Sequence, residues 1–172
     1  DWWNGNRSTL VDVDLSGVLV GATLATRAPD IYRALIESTA FGTLAIIEAF
    51  ESCGVEVKTL VAAGGLPEKN ALLRQIYADV TGRPLTLAGS AQAPALGSAI
   101  HAAVAAGLYP DIHAAADKMG KLKTEVVAPI PENQAIYDQL YADYKLLYDY
   151  FGRGANDVMK RLKKIRNQSR GV

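Results

Sequence analysis

Val57-Lys58-Thr59-Leu60-Val61-Ala62-Ala63-Gly64-Gly65-Leu66-Pro67-Glu68-Lys69-Asn70 is the stretch that decides the fold. Val57 to Ala63 reads as a buried β-type run, and it ends on two glycines. A helix is expected from about Glu68 to Val80, closed by Thr81-Gly82. Strand, glycine turn and helix in this order form one unit of an α/β sheet. In such sheets ligands bind outside the carboxyl ends of the strands. Glycine there lets a ligand reach the main chain, because no Cβ intrudes. Free N–H groups at the start of the next helix suit a phosphate or a polar edge. The same glycines also suit a tight turn that needs a positive φ and binds nothing, and both readings stand. The full phosphate-loop pattern G-x-x-x-x-G-K-[ST] is absent. Lys69 and Asn70 sit at the mouth of the turn. The Asn70 amide can hydrogen-bond a purine edge or a ribose, and it can equally cap the following helix.

Working outward, Pro84 to Leu87 reads as a second short strand, and Ala91 to Ala106 as an Ala-rich helix ended by Gly107. Within it, Gly97 and Ser98 are expected to allow close packing on the sheet. Residues 111–119 suit a short helix, Lys123 to Val127 an edge strand, and Pro129 to Phe151 a long helix. Upstream, residues 1–16 are turn-rich, and Val18 to Leu24 is an apolar stretch, either strand or extended loop. Ala28-Pro29-Asp30 opens a long helix that Gly54 stops, apolar enough to predict burial on more than one side. The whole is an α/β fold with a small parallel or mixed sheet flanked by long helices. So thin a sheet, and an opening on Asp1-Trp2-Trp3 rather than Met, lead us to expect a piece of a longer protein. An exposed sheet edge leaves a homo-oligomer open.

The chain has 172 residues, 49% hydrophobic and 21% charged, enough for a buried core and unlike a disordered chain. No apolar run reaches the roughly 18 residues that span a membrane. The single cysteine, Cys53, excludes an internal disulfide framework and points to a reducing, cytoplasmic home. Residues 1–152 carry a net charge of −6 and residues 153–172 one of +6. The body thus gives no reason to expect a nucleic-acid partner, and the basic tail reads foremost as a solvated helix end. His101 and His113 have no carboxylate or cysteine at ligand spacing, so no metal site is expected. Tyr137, Tyr141, Tyr144 and Tyr148 recur every three or four residues and read as a packing stripe, joined by Leu140, Leu147 and Phe151.

Five segments carry a resemblance: Asp1–Ser8, Leu15–Thr26, Ile31–Thr43, Ala62–Arg83 and Ala88–Ile100. Through them residues 1–152 resemble the C-terminal part of the FGGY carbohydrate kinases, most of all the members that act on L-ribulose. Gly17 to Glu37 is similar to the family's second signature, with Ala22 in place of a larger aliphatic residue; Pro67 and Pro94 also depart from the pattern. The resemblance implies a partial actin-like, ribonuclease-H-like ATPase lobe, with ATP held mainly here and the sugar mainly on an N-terminal lobe. It places Gly64 and Gly65 against the adenosine and the α-phosphate, Leu66 along the pocket, and Lys69 or Asn70 on the adenine. It puts the catalytic Asp and the phosphate hairpin upstream of Asp1, with Mg²⁺ held mainly there, so no catalytic residue is expected in this chain and no kinase activity from it alone.

Overall fold

The computed structural model describes residues 1–171. In chain order the elements are α1 (Ala28–Ser52), β1 (Leu60–Ala62), α2 (Gly65–Lys69), α3 (Ala71–Thr81), β2 (Leu85–Ala88), α4 (Ala93–Ala105), α5 (Ile112–Met119), β3 (Leu122–Val127), α6 (Pro131–Gly152) and α7 (Val158–Arg170). They form two compact units: Lys58–Ile130, and residues 1–57 with the segment from Pro131 onward.

The second of these is helical. Pro29 lies in the first turn of α1, and the Asp30 carboxylate accepts from the Arg27 N–H at 2.9 Å. At the other end Gly54 takes φ +82° and its N–H returns to the Glu51 carbonyl at 2.9 Å. α1 buries Ile36, Ala40, Phe41, Ala45 and Ile47. Phe41 meets the rings of Tyr137, Tyr141 and Tyr144 on α6 at centroid distances of 5.4–6.1 Å. The tyrosine stripe is therefore a packing seam. Leu140 and Leu147, expected to join it, lie on the exposed side of α6, whereas Phe151 does pack inward. α1 is buried on more than one side, as expected: Phe41 and Ala45 face the tyrosines of α6, Ile36, Ala40 and Ile47 lie on an adjoining side, and only the side carrying Tyr32 and Phe50 is exposed. Val18 to Leu24 forms no strand and runs as an exposed loop.

The basic segment folds as α7. Met159 joins a cluster with Trp2, Leu15, Ala45 and Tyr148. Lys160 pairs with Asp12 at 3.0 Å, and Lys163 pairs with Asp14 at 2.7 Å and donates to the Val13 carbonyl.

The other unit holds a three-stranded mixed sheet in the order β1-β2-β3. β1 and β2 are parallel, with Leu60 opposite Leu85 and Ala62 opposite Leu87; β3 runs antiparallel to β2 and takes the edge position expected of it. β2 is central, and its alternate residues Leu85 and Leu87 are buried, as are Ile76 and Val80 of the adjoining α3. Two expectations change. β1 is an edge strand of three residues with Val61 53% exposed, not a buried strand. The helix expected from Glu68 begins at Gly65 and breaks at Asn70, where φ −124° and ψ 96° leave the helical region. Asn70 restarts the chain as the N-cap of α3, its Oδ1 accepting from the Leu73 N–H at 3.0 Å. α4 packs on α5 rather than on the sheet, and a Cβ at Gly97 would meet nothing within 4 Å, so no close packing explains that glycine.

Candidate functional site: a glycine corner at the carboxyl ends of the parallel strands

The parallel pairing of β1 and β2 brings two strand ends side by side. β1 runs into Gly64-Gly65 and α2; β2 runs into Gly89-Ser90 and the loop before α4. This is the edge at which open α/β sheets take ligands.

The two glycines of the first corner differ. Gly64 has φ +98° and ψ 175°, a region essentially closed to residues with a Cβ. The turn reading accounts for it. Gly65 occupies the first position of α2 without a positive φ, so the backbone does not require glycine there. A Cβ built on either residue would meet nothing within 4 Å. The corner is therefore open main chain, not plugged by side chains. Leu66 is 75% exposed beside it, Lys69 is exposed, and Asn70 is half-buried with its Oδ1 committed to the α3 cap.

What holds the corner was not singled out in the sequence. Arg74, on the first turn of α3, reaches back to α2: Nη1 donates to the Pro67 carbonyl at 2.9 Å and to the Glu68 carbonyl at 3.3 Å, and Nη2 meets the Glu125 carboxylate at 3.3 Å. Glu68 pairs closely with Lys123 of β3, which holds its carboxyl below the usual carboxylate range. Thr86 donates to the carbonyls of Lys123 and Glu125, tying β3 to β2 at the shift in their register. At the second strand end, the Gly89 N–H donates to the Lys121 carbonyl at 2.6 Å. A Cβ at Gly89 would lie 2.7 Å from that oxygen, so this close approach needs glycine. Asp79 is 1% exposed; its Oδ1 accepts from Gln75 Nε2 and from the Ile130 N–H, both at 2.7 Å. The only signal for these residues in the sequence was their charge or small size.

The remaining chemistry-bearing residues are not gathered at the corner. Asp12 is held below its ordinary carboxylate range by the Asp14 N–H and then by Lys160, so it serves an ion pair. Cys53 is exposed at the end of α1. Among the described residues no three of His, Cys, Asp and Glu stand together as a metal-binding group. Among them, too, no helix is long and apolar enough to cross a membrane.

Residues 1–106 match the model of the FGGY family of carbohydrate kinases, C-terminal domain. Across nearly its whole length the chain is similar to proteins named ribulokinase: 60% identical over 171 residues in Halalkalibacterium halodurans, covering 97% of this chain and 30% of that protein. It is 56% identical over 169 residues in Mycolicibacterium smegmatis, covering 98% and 30%, and 40% identical over 166 residues in Staphylococcus aureus, covering 96% and 30%. The chain thus spans about 30% of the length of these relatives. In shape it resembles the ligand-bound xylulose kinase of Lactobacillus acidophilus, with TM-score 0.72 and 23% identity over 88% of this chain and 31% of that one. It also resembles the Plasmodium falciparum glycerol kinase with ADP, with TM-score 0.64 and 17% identity over 84% and 29%. The fold expected from the sequence, part of an actin-like kinase lobe, agrees with these neighbours. Strand order, open corner and relatives converge: the chain belongs to the FGGY family of carbohydrate kinases.

Proposed function

We propose that this chain is the nucleotide-binding C-terminal part of a cytoplasmic kinase that moves the γ-phosphate of ATP to the 5-hydroxyl of L-ribulose, giving L-ribulose 5-phosphate in arabinose breakdown. The sugar class rests on the ribulokinase relatives, which run at 40–60% identity across the chain. The nucleotide role rests on one observation above all: Gly65 leaves open main chain at the carboxyl edge of a parallel strand pair although the turn does not need a glycine there.

In this reading Gly64 and Gly65 lie against the adenosine and the α-phosphate, and Leu66 lines the purine face. Lys69 or Asn70 meets the base, and the commitment of Asn70 to the α3 cap favours Lys69. Mg²⁺, when bound, neutralises phosphate charge in such transfers. The resemblance assigns its ligands mainly to the rest of the kinase. The same holds for the catalytic base, since Asp12 and Asp14 are held in ion pairs with α7. Those pairs also count against a stand-alone nucleic-acid-binding module, because two of the tail's lysines are already taken up.

A coupled ADP-release assay tests the proposal on the full-length kinase carrying this chain and on the chain alone. The full-length protein turns over L-ribulose in preference to D-xylulose and glycerol, and the chain alone does not. Preference for another ketose or polyol would overturn the sugar assignment; equal turnover by the short chain would overturn the division of labour.

A further inference from the structure

The geometry points to Arg74 as a positioning residue for the nucleotide corner, acting with the Glu68–Lys123 pair through the orientation of α2. The inference rests on the nucleotide reading of Gly64 and Gly65 given above. α2 has five residues, too few to hold a helix by its own hydrogen bonds. Its direction must come from what grips it, and two side chains do, Arg74 and Lys123. Arg74 Nη1 donates to two of its last carbonyls, Pro67 at 2.9 Å and Glu68 at 3.3 Å. Arg74 Nη2 is fastened in turn to Glu125. Lys123, two residues before Glu125 on β3, pairs with the Glu68 side chain. The base of the grip is fixed, because Thr86 bonds the carbonyls of both Lys123 and Glu125. Gly65 is the first residue of the helix so held, two residues before Pro67. A tilt of α2 therefore changes where the bare main chain points.

The state of Arg74 separates positioning from plain stability. Its side chain is 12% exposed, yet Nε is buried without a partner. Burying an unpaired donor is costly, so the arginine is not the choice that stability alone would favour. Arg74→Met keeps the apolar stem, removes the orphaned Nε and frees the α2 carbonyls.

The test uses the full-length kinase, with ATP and L-ribulose varied separately and the melting temperature read alongside. Arg74→Met should raise KM for ATP about tenfold, the size expected for lost charged hydrogen bonds, while kcat, KM for L-ribulose and Tm stay near their starting values. Arg74→Lys should recover part of the loss. Lys123→Glu should raise KM for ATP about twofold, as suits a partly exposed pair, and adding Glu68→Lys should restore it. An unchanged KM for ATP in Arg74→Met, or one that rises only in step with the sugar KM, overturns the inference. So does a fall in Tm without the KM shift. Should Arg74→Met not fold, the Lys123 and Glu68 swap decides alone, since both side chains are partly exposed. Gly65→Val is the control: if it leaves ATP binding intact, the nucleotide reading itself falls. If it weakens ATP while the Arg74 and Lys123 variants do not, only the positioning role falls.

Discussion

The α1–α6 seam and the glycine corner are built on opposite principles. In the seam, Phe41 is buried among Tyr137, Tyr141 and Tyr144, and Arg33 donates to Tyr137 Oη at 3.0 Å while Tyr137 Oη donates to Glu37 at 2.9 Å. Burial there pushes the tyrosine hydroxyls up from their ordinary value. At the corner the main chain is left uncovered and is held by charged side chains near the surface. One region is shaped by what it packs against, the other by what it leaves open. Residues of the seam and residues of the proposed nucleotide corner should therefore respond differently to substitution.

The largest effect is expected at the seam. Phe41→Ala removes the ring that three tyrosines share and should destabilise the helical unit by about 3–5 kcal/mol, read by denaturant unfolding followed at 222 nm. A loss under about 1 kcal/mol would mean that the seam contributes little. Next comes Asn70→Ala, which removes the α3 cap and should cost about 1 kcal/mol in the same measurement. An unchanged midpoint would show that the break at Asn70 is not held by its side chain.

Gly65→Ala sharpens the contrast, because its two readouts move in opposite directions. Alanine at a helical position with free space around it should stabilise by about 0.5 kcal/mol. The same methyl should weaken ATP binding by the full-length kinase. Equal or tighter ATP binding would assign the glycine to folding alone.

The smallest effect is a pH dependence. Glu68 and Asp12 both have folded pKa values lowered by their hydrogen-bonded partners. The unfolded chain then takes up protons first as pH falls, so stability is complete above the ordinary carboxylate value of about 4 and is lost below it. Unfolding midpoints between pH 6 and 3 should fall on the acid side, and less so in Lys123→Met. An identical acid slope in that variant would break the assignment to Glu68.

Much of the fold was legible because its signals are local. Pro29, Gly54, Gly82 and Pro131 punctuate helices through φ restriction or positive φ, and β2 and β3 fell within a residue of their expected bounds. What escaped depended on partners far along the chain. Arg74 reads as one polar residue on a helix until Glu125, 51 residues on, turns up beside it. Gly89 looks like any turn glycine until the Lys121 carbonyl is seen against it. The break at Asn70 was half visible: capping was one of the two readings left open for it, but the five-residue helix before it gave no periodicity to read. Of the candidate site, the position of the Gly64-Gly65 corner was legible from strand and glycine order, whereas its supports required the β2–β3 pairing.

One further consequence comes from β1. It ends the sheet, and among the described residues no strand lies along its outer side. That leaves a row of peptide dipoles beside a half-exposed valine, an invitation to strand-by-strand addition. Anyone concentrating this polypeptide by itself should watch for slow turbidity, and a lysine at position 61 offers a simple way to keep the solution clear.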